Sequence, residues 1–357
     1  MKLRHTLLLV LLLALCKGLN ADSCTWLGGI GNWNDPAKWD CGVIPHIGDT
    51  VVLNSGTINL DMSREIAALY MTGGVISGTD TLSIADMLSW TAGNFSGIAL
   101  KCTASSGALI SGATSKYVNS GGSLLIYGQL HHNSSSLWLG GGFSKVIIME
   151  GSTYDFDGGS IQGGVSDSLI VRGTLDIGHD PQFGNSEHVI LNTGIILKSA
   201  ATGTLHIGCT MVQNATMKVT SADLVKFYSV VFTNTSTSSF DTADVFFDQN
   251  GKLDTFATIN GGGLYTFALA NFYVNGTLPA NRPLDFEVGF IYWNIDYTTT
   301  DTIRVSGATI NGQGSINSSG QCYWSSGQIN ILFEQSSSGQ MHLTTAGYKS
   351  VEGTGRM

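Results

Sequence analysis

The strongest constraint on this chain is a cadence. Short apolar runs stop at Gly, Asn or Ser and restart along most of its length. Gly73-Gly74-Val75-Ile76-Ser77-Gly78, Gly107-Ala108-Leu109-Ile110-Ser111-Gly112, Gly158-Gly159-Ser160-Ile161-Gln162-Gly163 and Gly307-Ala308-Thr309-Ile310-Asn311-Gly312 are near-copies of one another. Runs of three to five β-branched residues bounded by turn formers read as strands. Their spacing of roughly 8 to 13 residues suits a sandwich, a barrel or a solenoid. Self-similarity and the absence of a linker favour the solenoid, in which each turn stacks on the one before. The expected fold is all-β, a right-handed parallel β-helix. Its coils fill residues 62–357, with an aromatic-rich, irregular section at about 217–297, where Pro279 and Pro283 interrupt the pattern. Helix signal is weak. Met62 to Met71 reads either as a helical turn or two, or as a strand.

Composition agrees with a packed β fold. Charged residues are 12% of 357, well under the usual quarter, and Gly, at 46, is about twice its usual share. The 43% hydrophobic content is enough to bury a core. Net charge is −9, and no basic cluster follows residue 4, which argues against nucleic acid as a partner.

Residues 1–21 read as a secretory signal peptide. Lys2, Arg4 and His5 precede the apolar run Leu7 to Leu15, and Leu19-Asn20-Ala21 offers a cleavage site. That run is too short to span a bilayer, and no later run is long enough. In an oxidising compartment Cys24 and Cys41 are the expected disulfide pair, while Cys102, Cys209 and Cys322 read as buried small hydrophobes. Asn94, Asn133, Asn214, Asn234, Asn275 and Asn317 each open an Asn-x-Ser/Thr sequon and are candidate glycosylation sites.

Residues 22–61 stand apart as an N-terminal cap and first coil. They hold Trp26, Trp33 and Trp39, three of the seven tryptophans, together with Pro36 and Pro45. A solenoid exposes an apolar end and unpaired strand edges, so a flap of tryptophans fastened by Cys24–Cys41 is expected to cover them. The same tryptophans, read functionally, would be a sugar-stacking platform.

Thr25-Trp26-x-Gly28, Gly31-Asn32-Trp33-x-x-Pro36-x-x-Trp39 and Gly42-x-x-Pro45-x-x-Gly48-Asp49-x-Val51 together resemble the entry motif of secreted parallel β-helix proteins, pectin-lyase-like and adhesin-like. The later half, through Gly56-Thr57-Ile58-x-Leu60-Asp61, also looks like the start of a G8-type domain. The resemblance implies a β-helix and secretion. It implies no activity, because this fold hosts many.

Pectin-lyase-like helices include polysaccharide lyases and hydrolases. Asp155 and Asp157, at i and i+2, share one strand face, and Asp176, His179 and Asp180 lie together in a second group. A glycosidase needs two carboxyl groups about 5 to 10 Å apart. Against the polygalacturonases, the chain has Gly178-His179-Asp180 where Gly-His-Gly is expected, and it lacks their Asp-Asp and Arg-x-Lys motifs. The reading is a secreted structural or adhesive protein that is non-enzymatic, needs no cofactor or metal, and presents a polar lateral face to extracellular glycans or matrix and surface proteins. The alternative is a carbohydrate-active enzyme on the same scaffold.

Overall fold

A computed structural model describes residues 21–103, 107–133, 135–184, 188–268, 270–344 and 347–351. The signal-peptide reading, apart from Ala21, lies outside them. The chain is a parallel β-solenoid of about 14 turns. Among the described residues there is no α-helix, only the one-turn 3₁₀ segment Pro36–Lys38. Among the described residues no helix is long and apolar enough to cross a membrane.

Each full turn lays down three short strands, so the stack has three flat faces. One turn runs Ser123–Ile126, Gln129–Asn133 and Leu137–Gly140. The next runs Lys145–Ile148, Thr153–Gly158 and Ser160–Gly163, paired in parallel with the first strand for strand. Register partners lie 18 residues apart at Thr81 and Ala99 and 24 apart at Ala99 and Ser123. We call the faces first, second and third after the positions of Gln129–Asn133, Leu137–Gly140 and Ser123–Ile126 respectively. Met62 to Met71 resolves as strand: Arg64–Gly78 is a single bent strand that crosses all three faces.

Period-two alternation decides what lies inside. On the third face Leu82, Leu100, Leu124, Val146, Leu169, Ile190 and Met211 stack inward as one buried column. In the aromatic-rich section the same faces continue with larger filling. Phe227, Phe247, Phe267 and Phe286 succeed one another in register, with Phe267 and Phe286 stacked at 5.5 Å. Cys102 sits between Ile84 and Ile126 in another inward column. Cys102, Cys209 and Cys322 are all buried free thiols. Burial pushes Cys102 and Cys209 up to about 12 and Cys322 up to about 11, so none is a ready thiolate at neutral pH.

Corners demand glycine where successive turns touch. Gly56, Gly74 and Gly93 occupy one corner on three consecutive turns, with φ of 88°, 79° and 101°. A side chain at Gly74 would meet the Gly56 carbonyl, and one at Gly93 would meet that of Gly74.

The N-terminal end is sealed as the sequence implied. Trp39 lies edge-on to both Trp26 and Trp33, at 5.0 and 5.1 Å, and all three are buried. Trp39 donates its indole N–H to the Trp33 carbonyl (2.9 Å), and Trp33 donates to that of Pro45 (3.3 Å). Cys24 and Cys41 form a disulfide that ties the flap to the first strand. The buried Asp49 carboxylate accepts from the backbone N–H of Asp22 and of His46 and fixes the chain entry. Indoles consumed by packing and internal hydrogen bonds are not a stacking platform for sugars.

Candidate functional site

Two features on the lateral faces stand out, one charged and one apolar. The charged one is on the first face. Its strands put His131, Asp155 and Asp176 at successive outward positions of one column, one turn apart. His131 Nδ1 lies 2.7 Å from Asp155 Oδ2. Asp157 follows two residues after Asp155, and one donor atom from each of His131, Asp155 and Asp157 falls within 4.8 Å of the other two. Partial burial raises the Asp155 carboxyl above the usual carboxylate range, the charges of Asp157 and Asp176 raise it further, and His131 opposes them. Ser199 donates to Asp176 (2.7 Å) from the next turn. A shallow groove of roughly 300 Å³ adjoins the cluster, lined by Met87, Leu109, His131, Asn133 and Asp157 among others.

The second sequence group does not join it as a functional set. Asp180 turns to the corner, where it accepts from the Gly203 N–H (3.1 Å) and pairs with Lys198 at 3.1 Å. Lys198 is itself buried between Ile177 and Val219 and donates to the carbonyls of Ala200 and Ala201, so this set holds a turn together. The His179 ring lies against the edge of Phe156, with its nitrogens 2.9 and 3.0 Å from the carbonyls of Phe156 and Gly159. Of the five candidates, Asp155, Asp157 and Asp176 converge, whereas His179 and Asp180 serve the backbone. The residue that completes the cluster, His131, sits 24 positions before Asp155, one turn away; that separation together with shared strand phase is the signal for it.

The apolar feature is on the third face. Leu125, Ile147, Ile170, Leu191, Val212 and Val231 are register partners on six successive turns, and all point outward. The same column continues as Lys252, Tyr273, Tyr292 and Asn311. The Tyr273 and Tyr292 rings are stacked, and Tyr273 is 43% exposed. Lys252 is the only charged member from Leu125 to Asn311, and its ammonium pairs with Asp254 at 2.5 Å. Beside this column run Asn271, Phe290, Thr309 and Gln328. Asn271 donates to Asn250 (3.3 Å), and Asn330 to Asn311 (2.8 Å). A groove of roughly 310 Å³ lies at the junction, lined by Ser229, Val231, Asn250, Gly251, Lys252, Asn271 and Tyr273.

The six sequon asparagines are distributed over the surface. Asn133 and Asn234 are exposed, and Asn94, Asn214, Asn275 and Asn317 are half-buried. Asn275 accepts from Asn294 (2.7 Å), and Asn234 accepts from the Phe256 N–H (3.1 Å). Asn317 lines a groove of roughly 450 Å³ among Ser318, Ser319, Glu334 and Gln335. Asn133 stands beside the His131–Asp157 cluster.

Comparisons with protein-family models, with curated proteins and with solved structures find no match.

Proposed function

We propose that this is an extracellular adhesive β-solenoid that binds an uncharged glycan along its third face. The observation that carries the reading is the outward column from Leu125 to Tyr292. Of nine successive turns, eight present apolar or aromatic side chains there and one the ion-paired Lys252. At about 4.8 Å per turn that is a strip of about 38 Å. A sugar ring has one face of C–H bonds and a rim of hydroxyls. The stacked tyrosines and aliphatic side chains suit the first, while the side-chain amides of Asn250, Asn271 and Asn311 suit the second. Low charge suits a neutral polymer. The Cys24–Cys41 disulfide suits an oxidising compartment, and the resemblance of the entry motif to secreted β-helix and G8-type proteins supports secretion.

The test is a panel of neutral and acidic polysaccharides, scored both for retention of the protein and for release of reducing ends. Retention on neutral glycans, lost with Tyr273→Ala, is the expected result. Release of oligosaccharide would replace this reading with the enzymatic one, for which the convergent Asp155 and Asp157 are the candidates. Retention by no glycan, or retention indifferent to Tyr273, would overturn it.

A further inference from the structure

The charged cluster on the first face has a composition that ion pairing alone does not exhaust. One imidazole, His131, faces the carboxylates of Asp155 and Asp157, with a third, Asp176, one turn beyond. His131 and Asp155 lie on adjacent strands whose register is fixed by the parallel ladder, so their separation is built into the backbone. Asp157 is exposed, at the end of its strand and next to Gly158-Gly159, and it is the member with freedom to adjust. Two carboxylates against one imidazole leave negative charge uncompensated, and Asp176 adds to it.

We propose that His131, Asp155 and Asp157 form a binding site for a divalent first-row transition cation, with zinc as the best fit. Zinc takes an imidazole nitrogen and carboxylate oxygens at about 2.0–2.2 Å and accepts three protein ligands with a fourth position open. Two of the three ligands, His131 and Asp157, line the groove beside Leu109 and Asn133, which leaves room for a further ligand. In a tetrahedral shell donor atoms stand about 3.4 Å apart, so Asp157 has to close in from within 4.8 Å while the His131–Asp155 pair opens from 2.7 Å. Rotation of the Asp157 side chain supplies that movement, and the 2.7 Å contact of His131 with Asp155 is exchanged for two bonds to the metal. Calcium and magnesium fit less well. They call for oxygen-rich shells, and an imidazole is a poor donor for either. Binding of zinc also neutralises the repulsion between Asp155 and Asp157. The site lies on the first face, away from the glycan strip, and does not depend on it.

The experiment is calorimetric titration of the full chain, stripped with a chelator, with Zn²⁺ and separately with Ca²⁺. One Zn²⁺ per chain is expected, with Ca²⁺ weaker by at least tenfold. His131→Gln and Asp157→Asn should each weaken Zn²⁺ binding at least tenfold, while Asp180→Asn, at the corner, leaves it unchanged. Circular dichroism and a thermal melt establish that each variant is folded; should His131→Gln misfold, the exposed Asp157→Asn carries the test. No Zn²⁺ binding by the parent, Zn²⁺ binding unchanged in Asp157→Asn, or Ca²⁺ binding as tight as Zn²⁺ would each overturn the proposal.

Discussion

Tyr273 and Tyr292 stand face to face on successive turns, their ring centroids 4.4 Å apart and their planes within 6° of parallel. They follow a column of outward aliphatic residues, and together these make one strip interrupted by Lys252. If the strip binds a glycan, Tyr273→Ala or Tyr292→Ala should weaken retention about 5–10-fold, the equivalent of about 1–1.4 kcal/mol for a lost aromatic contact. Ile170→Asp, in mid-strip, should weaken binding of long chains more than of short oligomers. Affinity electrophoresis with oligomers of graded length reads both effects.

The disulfide closes a loop of sequence separation 17 around the tryptophan flap. Cys24→Ser with Cys41→Ser should cost the cap about 3 kcal/mol. In a stack where each turn touches only its neighbours, that loss stays local. Hydrogen exchange should therefore quicken at Val51 to Leu53 and Ile58 to Leu60 and be unchanged past Leu124. Uniform acceleration along the chain would mean that the cap governs the whole stack.

His188 is buried, and among the described residues neither ring nitrogen makes a hydrogen bond of good geometry, the Gly163 backbone being a weak neighbour at most. Burial lowers its pKa from 6.5 to about 4, although Asp167 and the backbone at Gly163 pull the other way. The unfolded chain therefore takes up the proton first as the pH falls. The stability associated with neutral His188 is complete above about pH 6.5 and is lost between there and about pH 4, at no more than about 1.4 kcal/mol per pH unit. Thermal melts between pH 7.5 and 5 should show a falling Tm, and His188→Phe, which cannot titrate, should flatten that slope.

Asn192 and Gln213 occupy adjacent positions in an otherwise apolar inward column, between Val171 and Phe232. Asn192 donates to Gln213 (2.9 Å) and to the Thr216 carbonyl (2.9 Å), and it accepts from the Gly194 N–H (3.0 Å). Gln213 donates to the Ala215 carbonyl (2.9 Å). Asn192→Leu should destabilise by about 2–3 kcal/mol by stranding these groups. Adding Gln213→Leu should recover part of the loss, and a double-mutant cycle by denaturant unfolding measures the coupling.

Strand cadence, cap and disulfide were readable in the sequence because each is local. Alternation, turn glycines and a 17-residue cysteine spacing need no knowledge of the stack. What joins residues across turns was harder to read. His131 and Asp155 touch only because one turn happens to take 24 residues there, and that length varies from turn to turn. The apolar strip left a trace that alternation reasoning passes over. Leu124-Leu125-Ile126, Val146-Ile147-Ile148 and Leu169-Ile170-Val171 are unbroken triplets in which a one-sided strand would place a polar residue at the centre. His179 and Asp180 were read as chemistry but serve a corner, because a turn of a solenoid needs donors and acceptors for its carbonyl and amide groups as much as a catalytic site needs its own. Lys198 filling an inward position had no warning in its neighbours Leu197 and Ser199, since its ammonium is satisfied by carbonyls two and three residues ahead.

The parallel ladder has a mechanical corollary. Strands that pair 17 to 27 residues apart mean that a tether pulling on the chain detaches one coil at a time. Each coil surrendered releases about 60 to 90 Å of extended backbone. A molecule anchored at one site and loaded at another would lengthen in steps of that size, letting out slack while the remaining coils keep their grip.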